Sequence, residues 1–526
     1  MERRDFLQIT GSIALTGLPD SSTGSFTAPG TNINRSTPNI VIIMTDQQRA
    51  DFTRSLGFFC DTQPFLDTMA QKGARFTNAY TTSALCAPAR TSLLTGRYPQ
   101  AHRVRENPGA RDAYFEHDIV DVLKQAGYRT GLSGKPHCYL ESQKLDFWRE
   151  YWHSNGFQEK DAPQFVKDFD NWINRLNHGI SETATPYPVE AQFPYRIVNN
   201  AIEFVQQSEG KPFFLWLSFP EPHNPYQVPG PYFDLFPPDS FPERVAGPES
   251  LAVKPFKWKW LHKLEEHFHP GYDKQWRRLR SNYCGMLRLI DDQLKRFNTC
   301  LSQQGLEENT LFIYVSDHGD FVGDYGLLRK GVGLPEVLVR IPMIWKGPGI
   351  KNNKVFTEEF VSIADIMPTI CEAVGAEIPV GVQGRSIWPM LQGKEYPKAE
   401  FAGIYAENGI GGLFYDANDS LDYNHASIRG PENVTFDELN SYTQSGRTRM
   451  VRKGDWKLVF NMMGQGQLYN LKDDPAELHD LFQDPALTDI RESLFRELAR
   501  WSIRMEDPLP VAQYRHKWPK RNWYEK

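Results

Sequence analysis

Residues 39–48 read Asn39-Ile40-Val41-Ile42-Ile43-Met44-Thr45-Asp46-Gln47-Gln48. The apolar run Ile40–Met44, mostly β-branched and without polar alternation, describes a strand buried on both faces, as in the interior of a parallel sheet. It stops abruptly in polar residues. Further runs of the same kind occur at Tyr128–Leu132, Phe213–Phe219, Leu311–Val315 and Pro342–Trp345, and segments with helical periodicity, Ile119–Ala126, Tyr195–Gln206 and Gly285–Phe297, lie among them. This alternation predicts an α/β fold built on one large, doubly wound, mostly parallel sheet.

The segment Pro222–Arg277, dense in Pro, Trp, His and Lys, is too long and irregular for a simple connection and is expected to be a functional insertion over one face. After a helix-like Ser362–Ala373 the character changes near Tyr396. Short strands are predicted at Thr448–Val451, Trp456–Phe460 and Gln467–Leu471, followed by a helix over Ile490–Met505. That pattern implies a smaller antiparallel sheet with a helix. The expected organisation is a signal and linker over 1–37, a large α/β domain over 38–395, and a C-terminal α+β subdomain and tail over 396–526.

The 526 residues carry 59 Lys+Arg against 65 Asp+Glu, a formal charge of −6, which argues against a nucleic-acid partner. No apolar stretch is long enough for a membrane span. The six cysteines (Cys60, Cys86, Cys138, Cys284, Cys300, Cys371) form no CxxC pair and no zinc-like spacing, so most are expected to be buried apolar side chains. Residues 2–7, Glu-Arg-Arg-Asp-Phe-Leu, precede a short apolar run and a Ser/Thr/Gly/Pro-rich stretch, which resembles a twin-arginine export signal and predicts a periplasmic or exported protein.

In open α/β sheets ligands gather beyond the carboxyl ends of strands. There the sequence places Asp46 and Gln47 after the first run, Ser133-Gly134-Lys135-Pro136-His137 after the second, Pro222-His223-Asn224-Pro225 after the third and Asp317-His318-Gly319-Asp320 after the fourth. Two aspartates, a side-chain amide and an imidazole make an oxygen-rich shell for Ca²⁺ or Mg²⁺, with calcium preferred because the shell accepts further oxygens. Lys135 and Lys330 read as a clamp for a tetrahedral oxyanion, and His137 and His223 as groups able to move protons. Any one of these residues, taken alone, is as well explained as a turn cap or a surface charge. The segment Cys86-Ala87-Pro88-Ala89-Arg90-Thr91-Ser92-Leu93-Leu94-Thr95-Gly96-Arg97 predicts a helix that Pro88 helps to start and Gly96 ends, with Cys86 at its N-terminus.

That segment, Cys-x-Pro-x-Arg followed four residues later by Thr-Gly-Arg, resembles the signal by which type I sulfatases of the alkaline-phosphatase-like superfamily have a cysteine converted to Cα-formylglycine. Asn39–Asp46, Gly134–His137, Pro222–Pro225, Asp317–Gly319, Gly326–Lys330, Trp456–Leu458 and Leu468–Leu471 resemble family blocks in the family's order, so the likeness runs from about residue 38 to 485. The resemblance implies that Cys86 is the formylglycine precursor, matured by a formylglycine-generating enzyme. It further implies that Asp46, Asp317, His318 and the modified residue 86 bind one Ca²⁺. Gln47 stands where many members carry a second acidic ligand, and would bind through its amide oxygen. Arg90 would hold the hydrate of residue 86, Lys135 and Lys330 the sulfate oxygens. His223 would serve the leaving alcohol, and His137 would take the proton that lets the aldehyde reform.

The same resemblance leaves other readings open. A phosphonate or phosphate monoester hydrolase of the superfamily shares the modified cysteine and an Asp-Gln opening, but its members tend to lack the Lys135-x-His137 pair. A catalytically silent glycan-binding relative would keep Cys86 unmodified. With export, 13 Trp, 22 Tyr and the basic residues of 254–280, a sulfated polysaccharide or oligosaccharide is the expected substrate, with small aryl sulfates the alternative.

Overall fold

The computed structural model describes residues 37–158, 160–411, 415–425, 434–442 and 446–506. The export signal and linker read over 1–37 therefore lie, apart from Thr37, outside the described residues. The main sheet has eight strands: β1 (Asn39–Asp46), β2 (Ala74–Tyr80), β3 (Arg129–Gly134), β4 (Phe147–Glu150), β5 (Phe213–Pro222), β6 (Thr310–Ser316), β7 (Met343–Lys346) and β8 (Lys354–Ser362). Their order across the sheet is β4-β3-β5-β1-β6-β7-β2-β8. A second, antiparallel sheet orders β12 (Gly466–Asn470), β11 (Trp456–Asn461), β10 (Thr448–Lys453) and β9 (Gly403–Asn408), and the helix Thr488–Met505 packs on it.

β1 shows why its sequence is continuously apolar. Ile40, Ile42 and Met44 join the core on one face of the sheet, with Trp216 and Ile313, while Val41 and Ile43 join the other, with Leu215, Leu217 and Tyr314. Both faces are covered, so the period-2 alternation of the pleat leaves no polar positions. β5 and β6 flank β1 in parallel, and the chain leaves all three at one sheet edge, in the crevice where strand order reverses.

Two expectations are corrected. The run at Pro342–Trp345 was read as a parallel strand, but β7 lies antiparallel to both β6 and β2. The chain between β6 and β7 contains only short helical turns, so it re-enters the sheet from the end at which it left, and antiparallel pairing follows. The insertion Pro222–Arg277 is more regular than its composition implies. It contains a helix, Phe256–Phe268, whose Trp258, Trp260, Leu261 and Leu264 share a core with Ile404, Ala406 and Met450 of the second sheet and with Phe436. All six cysteines are free; Cys86, Cys284 and Cys371 are buried, and Cys60, Cys138 and Cys300 are partly so.

Candidate active site

The helix Cys86–Thr95 is buried along its whole length. Gly96 ends it at φ 64°, where a Cβ would meet Val382 Cγ1 at 2.8 Å, so only glycine serves there. At the other end Asn107 Oδ1 accepts from the backbone N–H of Ala87 at 3.1 Å, capping the helix from a distant loop and fixing Cys86 at the crevice. Gly134, which precedes Lys135, sits at φ 124°, and a Cβ there would lie 1.7 Å from the carbonyl oxygen of Ser218. This close approach of β3 to β5 sets Lys135 over the crevice.

Every residue singled out from the sequence converges on this point. One donor atom from each of Asp46, Cys86, Asp317 and His318 lies within 4.8 Å of the others, and all four residues are buried. Cys86 Sγ is 3.2 Å from His318 Nε2 and 3.7 Å from Asp46 Oδ1. His318 Nδ1 donates to the carbonyl of Gly319 at 2.8 Å, which fixes the tautomer and leaves Nε2 as a lone-pair donor. Two carboxylates and an oriented imidazole, with hard oxygens in the majority, fit a divalent cation such as Ca²⁺.

Arg90 organises the carboxylates. Its Nη2 donates to Asp46 Oδ2 at 2.9 Å and its Nε to Asp317 Oδ2 at 2.8 Å, while Nη1 reaches the Lys135 carbonyl and Ser218 Oγ. The guanidinium thus stands beside the carboxylates that gather around Cys86. Lys135 Nζ pairs with Asp46 and also lies 2.7 Å from His153 Nε2. Lys330 Nζ donates to Gln47 Oε1 at 3.0 Å and lies 3.2 Å from His223 Nε2. Gln47, at φ 71°, turns its Nε2 to Asp320. His137, at φ 37°, packs edge-on against Trp152. Non-glycine residues in the left-handed region cost energy, and Gln47 and His137 both adopt it at this crevice.

The electrostatics follow from burial set against fixed charge. Desolvation opposes ionisation of Asp46, but Lys135 and Arg90 outweigh it and hold the carboxyl well below its usual range. Burial and Asp46 likewise oppose ionisation of Cys86, yet the Lys135 and Lys330 ammonium groups hold its thiol well below the ordinary value. Burial, then His153 and Lys330, push His223 well below the imidazole range; burial and Lys135 lower His137. Both imidazoles are neutral at rest and ready to exchange a proton.

Sequence reading missed part of the wall. A cavity of about 320 Å³ opens above Cys86, lined also by His153, His178, His269, Arg329 and Asp437. Arg329 Nη2 is 3.0 Å from His269 Nε2, and its guanidinium lies over Phe436 at 5.0 Å. Of the basic residues in 254–280, His269 reaches this cavity, whereas Lys254 is buried against Trp258, Tyr325 and Tyr469. The Gly179 that follows Asn177-His178 was the one local signal for a turn there; His153 and Asp437 carried none.

The sulfatase family model matches residues 38–376. An arylsulfatase of Clostridium perfringens (strain 13 / Type A) is 30% identical over 502 residues, spanning 88% of this chain and 94% of that protein. Among solved structures, the phosphonate monoester hydrolase of Agrobacterium radiobacter superposes with a TM-score of 0.71 at 23% identity, covering 89% of this chain and 96% of the other. A protein solved in complex with its substrate D-glucosamine-2-N,6-O-disulfate superposes with a TM-score of 0.67 at 20% identity, covering 91% of this chain and 100% of the other. The chain belongs to the sulfatase family and is a sulfuric ester hydrolase.

Proposed function

We propose that the protein removes sulfate from a sulfated polysaccharide or oligosaccharide, working in the periplasm or outside the cell after export on its twin-arginine signal. Residues 38–395 form the catalytic domain and 396–526 its C-terminal subdomain. The observation that carries this reading is the meeting of Cys86 with Asp46, Asp317 and His318 in one buried cluster, with Lys135 paired to Asp46 and Lys330 to Gln47. In this reading a formylglycine-generating enzyme oxidises Cys86, and Asp46, Gln47, Asp317, His318 and residue 86 hold Ca²⁺. When bound, the ion screens the charge that gathers on the sulfate oxygens. The formylglycine hydrate supplies the attacking hydroxyl and, through its second hydroxyl, a route to release sulfate.

The other residues bind, orient and move protons. Lys135 and Lys330 hold sulfate oxygens and offset the charge that builds as the ester bond breaks. Arg90 keeps the Asp46 and Asp317 carboxylates in place. His223, once it has taken up a proton at Nε2, delivers that proton to the departing alcohol, and His137 withdraws one from residue 86. The cavity wall combines imidazoles, Arg329, Asp437 and the rings of Phe268 and Phe436, a mixture suited to sugar hydroxyls and faces. The likeness to the protein bound to a disulfated glucosamine supports the same substrate class.

Mass spectrometry of the tryptic peptide Phe76–Arg90 from protein made in its native host tests the chemistry, with an aldehyde expected at residue 86. A screen of sulfated glycans, with an aryl sulfate and a phosphonate monoester as controls, tests the substrate. An intact thiol would favour a silent glycan-binding protein, and faster turnover of the phosphonate would favour the phosphonate hydrolase.

A further inference from the structure

The rings of His153 and His223 lie face to face, centroids 3.6 Å apart and planes within 18° of parallel. Each presents Nε2 to a different lysine, His153 to Lys135 at 2.7 Å and His223 to Lys330 at 3.2 Å. An ammonium group donates and never accepts, so both Nε2 atoms must hold lone pairs and both Nδ1 atoms the proton. For His223 this agrees with Nδ1 lying 2.8 Å from the carbonyl oxygen of Asn224. Two neutral imidazoles of matching tautomer therefore stand between the two lysines of the sulfate clamp.

We propose that His153 is a positioning residue for sulfate ester hydrolysis, holding Lys135 through Nε2 and His223 through its ring face. The assignment rests on the reading of His223 as the proton donor to the leaving alcohol. If the stack were only packing, a phenyl ring would fill the space without leaving a polar atom stranded, yet His153 Nδ1 is buried and without a hydrogen-bond partner among the described residues. The imidazole is explained by its other nitrogen. Lys135 also pairs with Asp46, and the acceptor on His153 draws its Nζ from a second direction and fixes where the ammonium stands.

The ring face acts on His223. Apart from Lys330, the one polar tie on His223 among the described residues is the bond from Nδ1 to Asn224, about which an unsupported imidazole would pivot. His178 closes the arrangement edge-on, 6.4 Å from His153 and 6.3 Å from His223, from a backbone held at φ 64°. The stacked ring holds the plane of His223, and with it the direction in which Nε2 faces Lys330. Burial and the neighbouring Lys135 hold His153 well below the usual imidazole range, which keeps it the neutral member of the pair.

The test uses the full chain with residue 86 matured, and kcat/KM across sulfate monoesters running from 4-nitrophenyl sulfate to an alkyl sulfate. His153→Ala is expected to lower the alkyl ester at least about tenfold more than the aryl ester, in the same sense as His223→Ala. His153→Phe keeps the stack and loses the acceptor for Lys135; it is expected to restore the leaving-group profile while lowering all substrates together. His153→Gln keeps an acceptor and loses the stack, and is expected to do the reverse. If His153→Ala does not fold, the Phe and Gln variants decide through their opposite patterns. A uniform loss in all three His153 variants, with His223→Ala still selective, overturns the assignment alone. A flat profile in His223→Ala as well overturns the leaving-group role and this assignment with it.

Discussion

Gln47 Nε2 donates to Oδ2 of Asp320 across 2.6 Å, and both residues are fully buried. Asp320 also accepts from Tyr226 Oη at 2.7 Å and from the backbone N–H of Val322 at 2.8 Å. A carboxylate at position 47 would face the Asp320 carboxylate with no proton between them. The amide at position 47 is therefore matched to an acid behind it, which explains the departure from an acidic residue there. Gln47→Glu keeps Lys330 on one oxygen but turns the other, in place of a donor, toward Asp320, and is expected to lower stability by about 2 kcal/mol. The double variant Gln47→Glu with Asp320→Asn reverses the donor and acceptor and is expected to recover most of that loss. Thermal melts of the single and double variants at neutral pH decide it; additive losses would mean that the two side chains do not act as a pair.

The strands that carry the site were legible because their physics is simple. β1, β5 and β6 are covered on both faces and so spell apolar runs that stop where Asp46, His223 or Asp317 begins. β3, equally buried, reads Arg129-Thr130-Gly131-Leu132-Ser133-Gly134 and shows itself by its position before Lys135 rather than by an apolar run. β8 was not legible, since Lys354-Val355-Phe356-Thr357-Glu358-Glu359 is an exposed edge whose charges discourage further pairing. β2 mixes Arg75, Thr77 and Asn78 among its apolar residues, and β4 and β9 are short. His153 and Arg329 stand on loops and Asp437 in a short helical turn, and they meet only through the tertiary fold. No local pattern distinguishes them from surface residues.

Cys86→Ala separates chemistry from folding. The side chain is small and buried, its neighbours are held by Arg90 and Lys135 rather than by sulfur, and its removal leaves the helix Cys86–Thr95 capped by Asn107. Turnover of every sulfate ester is expected to fall below detection while the melting temperature shifts by only a few degrees. Residual turnover in protein free of contaminating enzyme would remove residue 86 as the nucleophile.

Chelation probes the acidic cluster. Asp46 and Asp317 are both fully buried and turn Oδ2 to Arg90 and, for Asp46, to Lys135, which leaves each Oδ1 beside residue 86 and His318 as a donor for a divalent cation. Treatment with EDTA is expected to abolish turnover and lower the melting temperature, and Ca²⁺ to restore both, since oxygen donors predominate. Restoration by Zn²⁺ and not by Ca²⁺ would contradict the assignment.

Glu336 ties the second sheet to the first. Its carboxylate accepts from Lys457 Nζ at 3.1 Å, Arg452 Nη1 at 2.9 Å and Tyr80 Oη at 2.7 Å, joining β11, β10 and β2. Burial alone would raise its pKa, but Lys457, Arg452 and Arg340 prevail and bring it down to about 2. A group whose folded-state pKa lies below its unfolded value contributes stability above the unfolded pKa, near 4.5, and loses it as the pH falls toward the folded one. Glu336→Gln is therefore expected to cost about 3 kcal/mol at neutral pH, and the gap from the unaltered protein to close as the pH is lowered from about 4.5 toward 2. Calorimetric melts of both proteins at neutral and acid pH measure the gap. A difference that stays constant across this window would assign the loss to packing of the side chain rather than to its charge.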